Sequence, residues 1–153
     1  MIKTENISTD YINRKAMEIG KTEDIEEFIE NHSMRKKKLA YYLSDLMRMK
    51  NLEQNAVEDE LFGVMSPSYI KSVFNGTKPH PSRNFVIVIG LAMHLSYEEL
   101  NNLLKYAGHH SLDAKRYVGD TCIILGLSKR LSIEQIDDLL RRYDAEYILI
   151  KER

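Results

Sequence analysis

A fifteen-residue pattern occurs twice in this chain, and it restricts the fold more than any other feature. Residues 90–104 read GLAMHLSYEELNNLL and residues 126–140 read GLSKRLSIEQIDDLL. At an offset of 36 positions the identical pairs are Gly90/Gly126, Leu91/Leu127, Leu95/Leu131, Ser96/Ser132, Glu98/Glu134, Leu103/Leu139 and Leu104/Leu140. Leu100 corresponds to Ile136, and upstream Ile87, Val88 and Ile89 correspond to Ile123, Ile124 and Leu125. Each copy reads as an apolar helix, a short turn, and a serine with Glu99 or Gln135 three positions on. A serine followed at that spacing by Glu or Gln is a capping box, in which side chain and backbone satisfy each other at a helix start. The helix that follows has one apolar face and needs a neighbour, so two such hairpins stack. Two copies are fewer than the three an independent solenoid usually needs. Duplication and convergence on the same caps both produce such a match.

Only 7 Gly and 3 Pro interrupt 153 residues, which favours helices over a many-turned β architecture. Helices are expected over 7–19 and 23–31, the second with Ile25, Phe28 and Ile29 on one face. The basic run Arg35 to Lys38 leads into a stripe of Leu39, Tyr42, Leu43, Leu46 and Met47, and Met49 and Asn51 end that helix. A short helix over 54–61 follows. Ser66 reads as the cap of the next, with Pro67 at its first position and Asn75-Gly76 as its stop. Ser82 caps a helix over 83–93 that is apolar nearly all round, which marks it as the central buried element; a β-strand is the competing reading. A further helix is expected from a cap at Ser111 to Leu125, with Gly126 after it. Residues 146–150 fit either a helix or a short strand. The expected units are 1–32 (an N-terminal helical extension), 33–108 and 109–153, the last packed against the second.

Charge is unevenly spread. The whole chain is −1, but residues 1–32 are −4, residues 33–83 are +4 and residues 84–153 are −1. A basic middle segment is the electrostatic footprint of nucleic-acid binding when it coincides with a suitable fold. The run Arg35 to Lys38 reads either as a phosphate clamp or as a solvated helix start.

Residues 39–106 resemble the phage-repressor-like, XRE-type helix-turn-helix regulators. Four stretches carry the resemblance. Leu52-Glu53-Gln54 opens a second helix. The run from Ser66 to Gly76 makes a third. Pro81-Ser82-Arg83 starts a hydrophobic fourth. Gly90 to Leu100 turns into a fifth. The chain departs from that family in a longer turn, Leu61 to Met65, and in an added residue at Lys78 to Pro81. The resemblance implies an all-α, phage-repressor-like helix-turn-helix bundle, extended by the N-terminal helices and a C-terminal helical hairpin. It implies that the third helix enters the major groove of double-stranded DNA. Ser66, Ser68, Tyr69, Lys71, Ser72 and Asn75 are then the base-contact candidates, with Ile70, Val73 and Phe74 facing the core. Gln54, Lys78 and Arg83 are the phosphate candidates, Gln54 aided by its helix's amides. A homodimer with half-sites about 34 Å apart follows.

Other chemistries find no anchor in the sequence. Cys122 is the lone cysteine, which excludes an internal disulfide and points to a reducing, cytoplasmic setting. It lies among Ile123 and Ile124, as a buried inert thiol does. The first ten residues lack the apolar core of a signal peptide, and the longest apolar run, Phe85 to Ile89, is too short for a membrane span. His109-His110 has no Cys or carboxylate at ligand spacing, so no metal is expected. Asp137-Asp138 reads as a solvated acidic pair. No glycine-rich phosphate loop, nucleophile elbow or zincin motif is present, so neither an enzyme nor a cofactor is implied. The expected function is a sequence-specific DNA-binding transcriptional regulator. The alternative is a helical protein-interaction module that keeps the helix-turn-helix scaffold without specific DNA binding.

Overall fold

The computed structural model describes residues 34–151, together with Asn13. The helices expected over 7–19 and 23–31 lie outside the described residues, Asn13 apart. Seven α-helices and no strand occur among the described residues: α1 Met34–Met49, α2 Gln54–Glu60, α3 Pro67–Phe74, α4 Arg83–Ala92, α5 Tyr97–Tyr106, α6 Val118–Lys129 and α7 Ile133–Arg142. None is long and apolar enough to cross a membrane.

The repeat is visible as backbone geometry. The Ser96 and Ser132 hydroxyls accept from the Glu99 and Gln135 amides at 3.2 and 3.1 Å, and Glu99 and Gln135 accept in return from the two serine amides, both at 2.9 Å. The turn before each box passes through a left-handed residue, His94 (φ 56°) in one and Arg130 (φ 54°) in the other. After each second helix the chain turns left-handed again, at Gly108 (φ 85°) and Asp144 (φ 50°). The correspondence continues past the helices. Asn101 and Asp137 occupy equivalent positions, and each captures the segment that follows. Asn101 Oδ1 accepts from the Leu112 amide at 2.8 Å; Asp137 Oδ1 accepts from the Leu149 and Ile150 amides at 2.8 and 3.0 Å. Leu112 and Leu149 are thereby tucked into the core.

The two glycines of the repeat sit where helices cross. A Cβ on Gly90 would lie 2.5 Å from Leu100 Cδ1, and one on Gly126 would meet Ile136 Cδ1 and lie 2.5 Å from Ile136 Cγ1. Absence of a side chain therefore sets how closely α4 meets α5 and α6 meets α7. This also explains why Gly126 does not end α6, which continues to Lys129.

Every residue of α4 from Phe85 to Ala92 is buried. The helix packs on α2, α5 and α7, so its Val and Ile are covered on all sides and the β-propensity of the run is overridden. One contiguous core runs from Leu39 to Ile150, so the C-terminal hairpin and the preceding helices share it.

Three expectations are corrected. Ser111 caps no helix: residues 109–113 have no regular secondary structure, a turn follows, and α6 starts at Val118. Its first amides, Val118 and Gly119, donate to the Glu146 carboxylate at 2.8 Å each, so the cap comes from 28 residues downstream instead of from a local serine. Asp137 is fully buried and not solvated, because the tail amides and Arg141 need its charge inside. Residues 146–150 form neither helix nor strand; they are held as a strap by Asp137, by Arg141 on the Ile150 carbonyl, and by Asn84 Nδ2, which donates to the Ile148 carbonyl at 3.4 Å.

Candidate nucleic-acid interface

The sequence places α3 with three local devices. Ser66 Oγ accepts from the Tyr69 amide at 3.2 Å, Pro67 fills the first turn, and Asn75 closes the helix before Gly76 (φ 85°). Ile70 and Val73 are buried and fasten the helix, which packs on α1. Phe74 is half-buried at the edge of the same core. Residues 68, 71, 72 and 75 then share the opposite side, at the i, i+3, i+4 and i+7 spacing of one helix face. Ser68, Lys71 and Asn75 are exposed on it; Ser72 is half-buried, its hydroxyl donating to the Ser68 carbonyl at 2.9 Å. Asn75 Oδ1 accepts from the Thr77 amide at 2.8 Å.

Tyr69 is not on this face. It is half-buried and packs edge-on against Phe85, ring centroids 4.5 Å apart, and the exposed Lys78 ammonium stands 5.9 Å from its ring. Ser66 is exposed but its oxygen is occupied by the cap.

Gln54 is the first residue of α2, and its Nε2 donates to Glu58 Oε2 at 3.1 Å. The other oxygen of Glu58 lies 3.3 Å from Lys71 Nζ. Gln54, Glu58 and Lys71 therefore form one chain of contacts from α2 to α3. Sequence reasoning named its two ends and missed Glu58. The signal was the i, i+4 spacing from Gln54; the pairing with Lys71 crosses the turn between α2 and α3 and has no local signature. The Lys71 side chain remains 59% exposed, so this pair is screened and contributes at most about 1 kcal/mol.

Arg83 is not brought to the open face of α3. Its guanidinium grips Asp120 with two bonds of 3.1 and 2.8 Å and donates to the His110 and Ser111 carbonyls at 3.2 Å each. Asp120 is fully buried and also accepts from Tyr147 Oη at 2.7 Å and from the Asp113 amide at 2.8 Å. Burial alone would raise the Asp120 carboxyl, but the bonds from Arg83, Tyr147 and the Asp113 amide outweigh it and hold the group below the ordinary aspartate range. Burial, reinforced by Asp120, pushes the Tyr147 phenol far up, so it stays a donor. Burial also raises the Cys122 thiol. Arg83 thus bolts α4 to the start of α6.

The turn over residues 61–65 buries Leu61 and turns Phe62 outward, 86% exposed, with Gly63 at φ 82° permitting the reversal. His109 Nε2 lies 2.8 Å from the Pro81 carbonyl and His110 stacks on Tyr117. No group of three or more His, Cys, Asp or Glu able to hold a metal ion occurs among the described residues. In comparisons with known proteins, no family model, no curated protein and no solved structure matches the chain.

Proposed function

We propose that this chain is a DNA-binding transcriptional regulator of the phage-repressor-like, helix-turn-helix type, reading the major groove through α3. The observation that carries the reading is the two-sidedness of α3: Ile70 and Val73 are wholly buried, while Ser68, Lys71 and Asn75 stand exposed on one stripe. That stripe holds one cation, a hydroxyl and a carboxamide, the groups that pair with base edges. Gln54 and Lys78 flank it as phosphate contacts, and the basic segment 33–83 supplies the attracting field. The protein works as a homodimer on two half-sites.

The test is selection of bound sequences from a random DNA pool, with Lys71→Glu beside the parent. The expected result is an enriched palindrome that Lys71→Glu loses while keeping its helicity. Lys71→Ala should weaken binding by about ten- to a hundredfold, the worth of one good base contact. An enriched motif bound equally by Lys71→Glu would refute the placement of α3.

A second reading, a protein-interaction module on the same scaffold, is favoured by the outward Phe62 and the apolar groove beside it. It predicts no enrichment, and only weak binding common to parent and Lys71→Glu.

A further inference from the structure

Beside α3 lies a groove of about 720 Å³ that the exposed stripe of that helix does not use. In its lining Phe85 and Val88 are buried, Tyr69 and Ile148 are half-buried, and Phe62 stands exposed. The segments that form it are tied down. Ser66 caps α3, and Tyr69 packs edge-on against Phe85. The strap is held by Asn84 Nδ2 on the Ile148 carbonyl and by Asp137 on the Leu149 amide. The groove is therefore formed before anything enters it. Its volume falls within the roughly 300–1,000 Å³ of sites that enclose a small molecule.

Its charge has one sign. The lining contains no Asp or Glu, and its one charged residue is Lys151. Lys78 adds a second ammonium 5.9 Å from the Tyr69 ring. The ion pairs among the described residues engage Arg48, Lys50, Lys71, Arg83 and Arg141, and leave both of these lysines without a carboxylate. The Ser66 and Ser82 hydroxyls line the same groove; their oxygens accept from the Tyr69 and Phe85 amides at 3.2 Å each, and each keeps its proton to donate. Donors and cations without an acid among them select an anion. The rings of Phe62, Tyr69 and Phe85 select its body, since aromatic groups stack or meet edge-on with one another.

We propose that the groove is a binding site for a small aromatic carboxylic acid in its anionic form, the ring system lying among Phe62, Tyr69 and Phe85 and the carboxylate directed to Lys151 and Lys78. Its occupant touches the turn before α3, the first turn of α3, the start of α4 and the strap, so binding joins these four segments. The inference stands apart from the DNA reading, since neither the groove's chemistry nor its test involves nucleic acid.

Two probes of similar shape separate charge from burial: anilinonaphthalene sulfonate, an anion, and phenylnaphthylamine, its uncharged counterpart. Both fluoresce when taken out of water. The full-length protein should bind one sulfonate probe per chain, saturably. Naphthaleneacetate should displace it, and the methyl ester of that acid should do so several-fold less well. Lys78→Ala with Lys151→Ala should weaken the sulfonate about tenfold, the worth of two exposed ionic contacts, and leave phenylnaphthylamine within about twofold. Phe62→Ser should weaken both probes alike; at 86% exposure that position lies outside the core, and an unchanged urea midpoint checks that the fold is kept. Absence of saturable binding overturns the proposal. So does binding that ignores Phe62→Ser, a sulfonate affinity that survives loss of both lysines, or a loss shared equally by the uncharged probe. Binding that emerges only on dilution means that a second copy of the chain occupies the groove, and overturns it too.

Discussion

Gly90 and Gly126 are equivalent in the repeat, yet replacing each by alanine should have different consequences. Both sit inside helices, where Gly→Ala gains about 1 kcal/mol of helix propensity. Both new methyls meet a neighbour on the crossing helix. At Gly90 the only severe contact is Leu100 Cδ1 at 2.5 Å, and the next nearest atoms lie at 3.5 and 3.6 Å. Cδ1 is the far end of a side chain that swings by a change of χ2, so Gly90→Ala should fall within about 1 kcal/mol of the parent. At Gly126 the contact includes Ile136 Cγ1 at 2.5 Å. Cγ1 hangs directly from Cβ, and χ1 of a helical isoleucine is nearly fixed. Relief needs movement of α7 itself. An overpacking cost of about 1–3 kcal/mol, less the propensity gain, leaves Gly126→Ala destabilised by about 1–2 kcal/mol. For a domain of this size that is a fall in melting temperature of about 2–8 °C. Urea unfolding followed by far-UV circular dichroism gives the two values. In an Ile136→Leu background, which makes the second crossing chemically like the first, the Gly126→Ala penalty should shrink toward that of Gly90→Ala. Gly126→Ala as stable as Gly90→Ala, or a penalty unaffected by Ile136→Leu, would show that the crossing distance is not set by these glycines.

Further outcomes follow from the junctions. Asp120→Asn should destabilise by about 3 kcal/mol in urea unfolding, since it leaves the half-buried Arg83 guanidinium without its counter-charge. Because the folded Asp120 carboxyl lies below its ordinary value, its contribution is full above about pH 4 and is lost as pH falls through the depressed value. An acid titration of stability should therefore be shallower in Asp120→Asn than in the parent. Asn101→Ala and Asp137→Ala each free buried amides, but the second also strips a charge partner from Arg141. Asn101→Ala should cost about 1–3 kcal/mol, Asp137→Ala more, and hydrogen exchange at Leu149 and Ile150 should accelerate only in the latter. On the DNA reading, Glu58→Gln removes the carboxylate beside Lys71 and should tighten binding by up to about fivefold, the equivalent of about 1 kcal/mol, as measured by fluorescence anisotropy; weakened binding would show that Glu58 does not compete with DNA for Lys71.

What was legible in the sequence was local. Ser66-Pro67, Asn75-Gly76, Ser82 and the two capping boxes signal their helix ends within four residues, and each end lies where those signals put it. What was illegible was supplied from afar. α6 starts at Val118 because Glu146 caps it, and Asp137 is buried because the tail amides reach it. Neither partner is a sequence neighbour, so Ser111 looked like a cap and Asp137 like a surface acid. The candidate interface divides the same way. The exposed stripe of α3 follows from helical spacing alone. Arg83 at a helix start reads as a phosphate contact until Asp120, 37 residues on, claims it, and Tyr69 reads as an exposed aromatic until Phe85 covers it.

The strap also sets a clock on synthesis. α4 has no polar face, and its cover is completed by α7 and by Ile148, which lies 64 residues after Asn84. At about 5–20 residues per second, a ribosome takes about 3–13 s to make that stretch. Through that interval the most apolar of the described helices has emerged with its last partners still unmade, which is the condition under which nascent chains bind chaperones or one another. Arrested chains of increasing length should gain protease resistance only after Ile148 has left the exit tunnel. Slow translation of residues 93–148 should then lower the soluble yield, although it alters no residue of the finished protein.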